Sequence, residues 1–138
     1  MIHIFTDGGS RGNPGEAASG VYIADDQGKE RASLGIRLGI TTNNVAEYKA
    51  VIAAYDWLLA HHEIVSTSPE IKFFSDSMLV VSQITGIWKI KHQDMQMLCV
   101  SVKEKEKKLG IPVSYTYIPR ELNKKADTLV NAALDNLL

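Results

Sequence analysis

The sequence predicts an α/β fold: a mixed sheet of about five strands, an antiparallel meander plus parallel strands, flanked by helices. Three observations carry this. Residues 2–38 alternate β-prone runs with turn signals, as a meander does. Residues from 43 onward carry long stretches with apolar side chains every three or four positions, the period of amphipathic helices. Two short strand-like runs, 71–75 and 112–118, are embedded among those stretches, and strands separated by helices pair in parallel through crossovers.

The chain opens on a β-prone run, residues 2–7. The segment Gly8-Gly9-Ser10-Arg11-Gly12-Asn13-Pro14-Gly15 is so dense in turn formers that it reads as a loop. Strands are expected near 17–24 and 29–38, joined by a turn at Asp25-Asp26-Gln27-Gly28. Val45, Tyr48, Ile52, Tyr55 and Leu59 then mark one face of a helix, with Asn43 or Asn44 as its N-cap and His61-His62 near its C-terminal end. Pro69 precedes a buried-looking strand, Ile71-Lys72-Phe73-Phe74-Ser75. Helices are expected over 77–86 and 93–109, the second with Met95, Leu98, Val102 and Leu109 on one face and Gly110 and Pro112 as its stop. Val113, Tyr115 and Tyr117 alternate with Ser114 and Thr116 in a strand over 112–118 that ends at Pro119. Asn123 caps a last helix whose apolar face is Ala126, Leu129, Val130, Ala133 and Leu137.

At 138 residues, without a linker, repeat or low-complexity tract, residues 1–138 read as a single domain. The 45% hydrophobic content excludes disorder. The formal net charge of −1 is not the basic balance of a protein that grips nucleic acid by charge alone. Cys99 is the only cysteine, so no internal disulfide forms and no paired-cysteine zinc site is available. No apolar run reaches the length of a membrane span, and Met1-Ile2-His3-Ile4-Phe5 lacks a basic leader. These features lead us to expect a cytoplasmic protein, complete as written, monomeric and without membrane contact.

Asp7 and Asp76 carry the chemistry. Each follows an apolar-apolar-hydroxyl run, Ile4-Phe5-Thr6 and Phe73-Phe74-Ser75, and so stands at the carboxyl end of a strand. Ligands of open sheets with crossovers collect beyond those ends. Two such acids on neighbouring parallel strands repel each other unless a cation sits between them, and hard oxygen ligands suit Mg²⁺ or Mn²⁺. Glu47, in the first turn of the first helix, and Asp127, about one turn into the last, both reach the same edge. Each acid alone is explained as a turn residue, a cap or a partner of the helix dipole; the four together are not.

Four segments then resemble type 1 ribonuclease H, over nearly the whole chain. They are Thr6-Asp7-Gly8-Gly9-Ser10-Arg11-Gly12-Asn13-Pro14-Gly15, Thr41-Thr42-Asn43-Asn44-Val45-Ala46-Glu47, Ser75-Asp76-Ser77 and Ile118-Pro119-Arg120-Glu121-Leu122-Asn123-Lys124-Lys125-Ala126-Asp127. The resemblance implies a ribonuclease H-like fold and an endonuclease that hydrolyses the RNA strand of RNA·DNA hybrids. Asp7, Glu47, Asp76 and Asp127 would be catalytic residues and ligands of two Mg²⁺ ions, with Mn²⁺ as substitute. One ion would activate the attacking water and the other stabilise the leaving 3′ oxygen, roughly 4 Å apart, giving 5′-phosphate and 3′-hydroxyl products. It also implies substrate contacts at Gly8, Gly9, Ser10, Arg11, Gly12, Asn13, Thr42, Asn43, Asn44 and Ser77. Glycines let the backbone approach closely, and the 2′-hydroxyl distinguishes RNA from DNA. Thr42 would meet a phosphate of the DNA strand.

The chain departs from the family in two places. Many members carry a basic protrusion; here Trp88-Lys89-Ile90-Lys91-His92 is the only local basic-aromatic cluster, and Trp88 is either a DNA contact or part of the core. Lys103-Glu104-Lys105-Glu106-Lys107-Lys108 reads as a solvated helix face with i,i+4 pairs. Many members also carry a histidine before the last aspartate that helps product release; Arg120 stands nearest that position, in a loop that includes Asn123. His3, His61, His62 and His92 have no ligand-like spacing. Setting aside the four carboxylates turns the net charge of −1 into +3, so hybrid binding should be weak with a shallow salt dependence. The competing classes are a catalytically weak hybrid- or RNA-binding module and another phosphoryl-transfer enzyme, an exonuclease or transposase-like enzyme, on the same fold.

Overall fold

The computed structural model describes all residues from Met1 to Leu138. Strands β1 (Ile2–Gly12), β2 (Gly15–Asp25) and β3 (Glu30–Thr41) form the antiparallel meander. Helix α1 (Asn43–Ala60) and the single-turn α2 (His62–Val65) lead to β4 (Ile71–Ser75). Helices α3 (Met78–Ile84) and α4 (Gln93–Leu109) lead to β5 (Val113–Tyr117), and α5 (Lys124–Leu134) follows a 3-10 turn at Arg120–Leu122. The sheet order is β3-β2-β1-β4-β5, with β4 parallel to both β1 and β5.

The expected loop at Gly8–Gly15 is mostly strand. β1 runs on to Gly12 and pairs with β2 down to Gly12↔Gly15, which leaves only Asn13 and Pro14 to turn the chain. Turn-former density misleads here because only Gly12 and its neighbours bend the chain, while Gly8 serves contact. A Cβ on Gly8 would lie 2.3 Å from the backbone of Ala46 and Glu47, so α1 rests directly on β1. β3 likewise extends to Thr41, past the expected end at 38.

The main core lies between α1, α4 and one sheet face, with Ile4, Val21, Ile23, Tyr48, Tyr55, Leu58 and Phe73 fully enclosed. α1 is buried around more of its circumference than one stripe predicts. Ala46, Ala50, Val51, Ala54 and Leu58 are buried beside Tyr48 and Tyr55, while Val45, Ile52 and Leu59 are only partly covered. Sheet and α4 enclose it from two sides, so periodicity alone understated its burial. In α4 Cys99 takes the buried place expected of Leu98. Its charged stretch pairs not at i,i+4 but through Lys103–Glu106 (3.8 Å) and, across to α1, Lys105–Asp56 (2.6 Å).

α5 packs on the opposite face, over Ala18. Gly20 makes that approach possible, since a Cβ there would stand 2.3 Å from Ala126 O. The helix stops at Leu134, so Leu137 is not on its apolar face but 75% exposed. Trp88, at 47% exposure, is not a core residue. No helix is long and apolar enough to cross a membrane.

Candidate metal and nucleic-acid site

The site forms where β4 ends beside a β1 that continues. The parallel ladder stops at Thr6↔Ser75, and Ile118 then takes the Ser75 carbonyl (2.9 Å). Asp76 stands immediately past β4, as expected. Asp7 stands within β1, opposite Gly20, and not after the strand's end. Its neighbours are lost on the β4 side only, so it remains held on the β2 side while facing an open notch.

α1 brings Glu47 to this notch. The helix is capped by Thr42, whose Oγ1 accepts the Val45 amide (3.2 Å), and not by Asn43 or Asn44. Asn43 is the first helical residue, so Glu47 lies in the second turn and not the first. Ser19 Oγ donates to Ala46 O (2.8 Å) in the buried seam and fixes the register of α1 on the sheet. α5 brings Asp127 in from the other face, in its first turn.

Ligand oxygens of Asp7, Glu47 and Asp76 all lie within 4.8 Å of one another. Asp127 stands outside that cluster yet raises the Asp7 pKa. Burial, then repulsion from Asp76 and Asp127, pushes the Asp7 carboxyl up to about 7, against a smaller lowering by the Gly8 amide that donates to Oδ1 (2.9 Å). Burial, then Asp7 and Asp76, raises Glu47 well above the usual carboxylate range. Acids so placed hold protons at neutral pH or share a cation. An all-carboxylate oxygen donor set fits Mg²⁺ or Mn²⁺.

A cavity of about 480 Å³ opens above the carboxylates, lined also by Gly8, Gly9, Ser10, Arg11, Asn43 and Arg120. Ser10 Oγ is buried without a protein partner. Arg11 is held by Asp135 (2.6 Å), and Arg120, 82% exposed, reaches Asp127 at 3.9 Å. The remaining expected contacts lie outside this lining. Asn13 Oδ1 accepts the Asn43 amide (3.1 Å), which ties the β1–β2 turn to α1. The Asn44 amide donates to Asn43 Oδ1 (3.0 Å), and Ser77 caps α3 by accepting from Val80 (3.2 Å). Gly12, at φ 97°, makes the tight turn.

Asn123 is the largest departure. Its side chain makes no cap to α5 and is 1% exposed; Nδ2 donates to Thr6 O (2.8 Å) and Asp76 Oδ1 (3.4 Å). Tyr117 and Asn131 line the cavity and were not anticipated. Asn131 was readable in principle, one helical turn beyond Asp127, whose carbonyl takes its Nδ2 (3.2 Å). Tyr117 was readable as the last residue of β5, at the functional edge of the sheet.

Sheet order and carboxylate cluster together define a ribonuclease H-like domain. Residues 5–133 match the family described as Reverse transcriptase-like. A bifunctional protein of Mycobacterium tuberculosis is 38% identical over 135 residues, 97% of this chain but 35% of that protein. Ribonuclease HI of Halobacterium salinarum is 38% identical over 136 residues, 98% of this chain and 65% of the relative, so the chain spans only part of these curated relatives. The crystal structure of the Halobacterium RNase H1 superposes with a TM-score of 0.88 at 38% identity, covering 98% of both chains. That of LC11-RNase H1 in complex with an RNA/DNA hybrid gives 0.91 at 36% identity over 99% of both. The chain belongs to the ribonuclease H1 family.

Proposed function

We propose that the protein is an endoribonuclease that hydrolyses the RNA strand of RNA·DNA hybrids and leaves 5′-phosphate and 3′-hydroxyl ends. The observation that carries this is the cluster of Asp7, Glu47 and Asp76 oxygens within 4.8 Å, at the floor of an open cavity in a chain of this family. Two Mg²⁺ ions, or Mn²⁺ in their place, would supply an activated water and charge stabilisation at the leaving 3′ oxygen. Asp7, Glu47, Asp76 and Asp127 would hold them. Asp7 is central, since its carboxyl interacts with each of the other three.

The chain's other groups bind and orient the hybrid. Gly8, Gly9 and Ser10 line the cavity beside the carboxylates, where their backbone can meet a sugar hydroxyl of the RNA strand. Thr42 Oγ1 accepts the Val45 amide and keeps its own O–H for a phosphate of the DNA strand. Asn43, Arg11 and Arg120 stand at the cavity wall, where they can hold the backbone of the substrate. We read residues 1–138 as one catalytic unit acting in the cytoplasm, where the buried thiol of Cys99 stays reduced.

The test is incubation with a labelled RNA·DNA hybrid and, separately, a DNA duplex, in Mg²⁺, Mn²⁺ or EDTA. Cleavage of the RNA strand in either metal, none in EDTA and an intact DNA duplex are expected. Absence of cleavage in both metals overturns the enzyme reading and favours a binding module. Cleavage in EDTA overturns the metal mechanism, and equal cutting of duplex DNA overturns the substrate.

A further inference from the structure

Asn123 stands between the 3-10 turn and α5, where a helix cap is expected, yet its side chain turns inward. An amide nitrogen carries two N–H donors. Here one goes to Thr6 O at 2.8 Å and the other to Asp76 Oδ1 at 3.4 Å. Both acceptors belong to the site: Thr6 precedes Asp7, and Asp76 is one of the clustered carboxylates. The side-chain oxygen of Asn123 is buried with no partner at all. The reversed amide would set that oxygen against a carbonyl and a carboxylate, which accept only, so the donors alone fix its orientation. Meanwhile the Asn123 carbonyl accepts the Asp127 amide (3.1 Å), one helical turn along.

Three elements therefore meet at one residue that touches no solvent. It ties the end of the β1–β4 ladder to the carboxylate beyond β4 and to the first turn of α5, where acids of like charge face one another. Resting on the divalent-cation reading above, we propose that Asn123 is a positioning residue for that site. It clamps Asp76 against β1 at Thr6, where the β1–β4 ladder stops, and sets Asp127 beside them. This role is separate from product release, which a buried side chain cannot serve by meeting the substrate.

The experiment compares Asn123→Leu, which keeps the volume and loses the donor, with Asn123→Ser, which shrinks the side chain and keeps a donor. Mg²⁺ and Mn²⁺ are titrated calorimetrically into the full chain without nucleic acid, with circular dichroism as the folding control. Asn123→Leu should bind metal about ten- to a hundredfold more weakly than the wild type, with Asn123→Ser in between. The metal concentration for half-maximal cleavage should rise by a similar factor while KM for the hybrid is unchanged. Wild-type affinity in folded Asn123→Leu overturns the inference, as does the reverse order, Ser weaker than Leu, which marks a purely volume-filling role. A steady-state loss with an unchanged single-turnover rate also overturns it, since that pattern belongs to product release. Asn123→Ala takes the place of Asn123→Leu if the latter does not fold. No metal binding by the wild type itself overturns the cation reading together with this one.

Discussion

At the scale of single residues, the site stores charge repulsion that only protons or cations relieve. Asp7 is raised to about 7, so between the ordinary carboxylate range and that value the folded chain binds more protons than the unfolded one. Its contribution is therefore least unfavourable at low pH, and stability falls as pH rises from about 4 to about 7. Asp7→Asn removes this dependence. In metal-free buffer the variant should melt above the wild type by a margin that is small near pH 4 and grows toward pH 7; a margin constant with pH contradicts the placement of the charge. The same substitution should abolish hybrid cleavage, and near-normal turnover would remove Asp7 from the ligand set. The four acids were legible from sequence as candidates; local patterns placed Asp76 just past a strand and Asp127 in a first helical turn, whereas Asp7 stands within β1 and Glu47 in the second turn of α1. Asn123 was legible only as a cap, because its partners, Thr6 and Asp76, are 117 and 47 residues away.

At the scale of elements, two seams decide where the acids stand. α1 touches β1 through Gly8, and α5 touches β2 through Gly20. Gly8→Ala would force Cβ into the backbone of Ala46 and Glu47, so helix and strand must part. We expect a loss of about 1–3 kcal/mol in urea unfolding, as for other overpacked sites, with a fall in activity because Glu47 moves with the helix. An unchanged midpoint and rate would contradict the direct contact. Thr42→Ala should cost about 0.5–2 kcal/mol through the lost α1 cap, whereas Thr42→Ser should restore the stability. Loss of stability in both variants alike would show that the hydroxyl is not the cap. The first of these seams was hidden in the sequence by its own composition. A run of glycines reads as a loop when only local turn preference is weighed, although here it lets a helix lie against a strand.

At the scale of the whole molecule, charge is distributed so that a cation at the proposed site would offset the clustered carboxylates. The carboxylates concentrate negative charge in one cavity of a chain whose formal net charge is only −1. Cations that bind the folded state alone stabilise it by mass action. Mg²⁺ at neutral pH should therefore raise the Tm of the wild type, and Asp76→Asn should lose most of that rise. An equal rise in both would place the ion elsewhere. With Mg²⁺ present, hybrid affinity should fall only gently as salt is raised, since few fixed cations neutralise phosphates. A steep slope would reveal a basic surface beyond the exposed Trp88–His92 segment.

The sequence by itself determined the order of the main elements and the mixed sheet, and marked the four acids as candidates, because periodicity, turn chemistry and strand-end motifs act over a few residues. It also carried the family resemblance, since the motif segments lie in order along the chain. Only the tertiary structure decided that Asp7 sits within a strand, that the glycine run is a hairpin under a helix, that Thr42 is the cap and that Asn123 faces inward. Each of these depends on which distant backbone or side chain arrives at the position. A hydrogen-bonding group or a glycine has no fixed role until the fold supplies its neighbour.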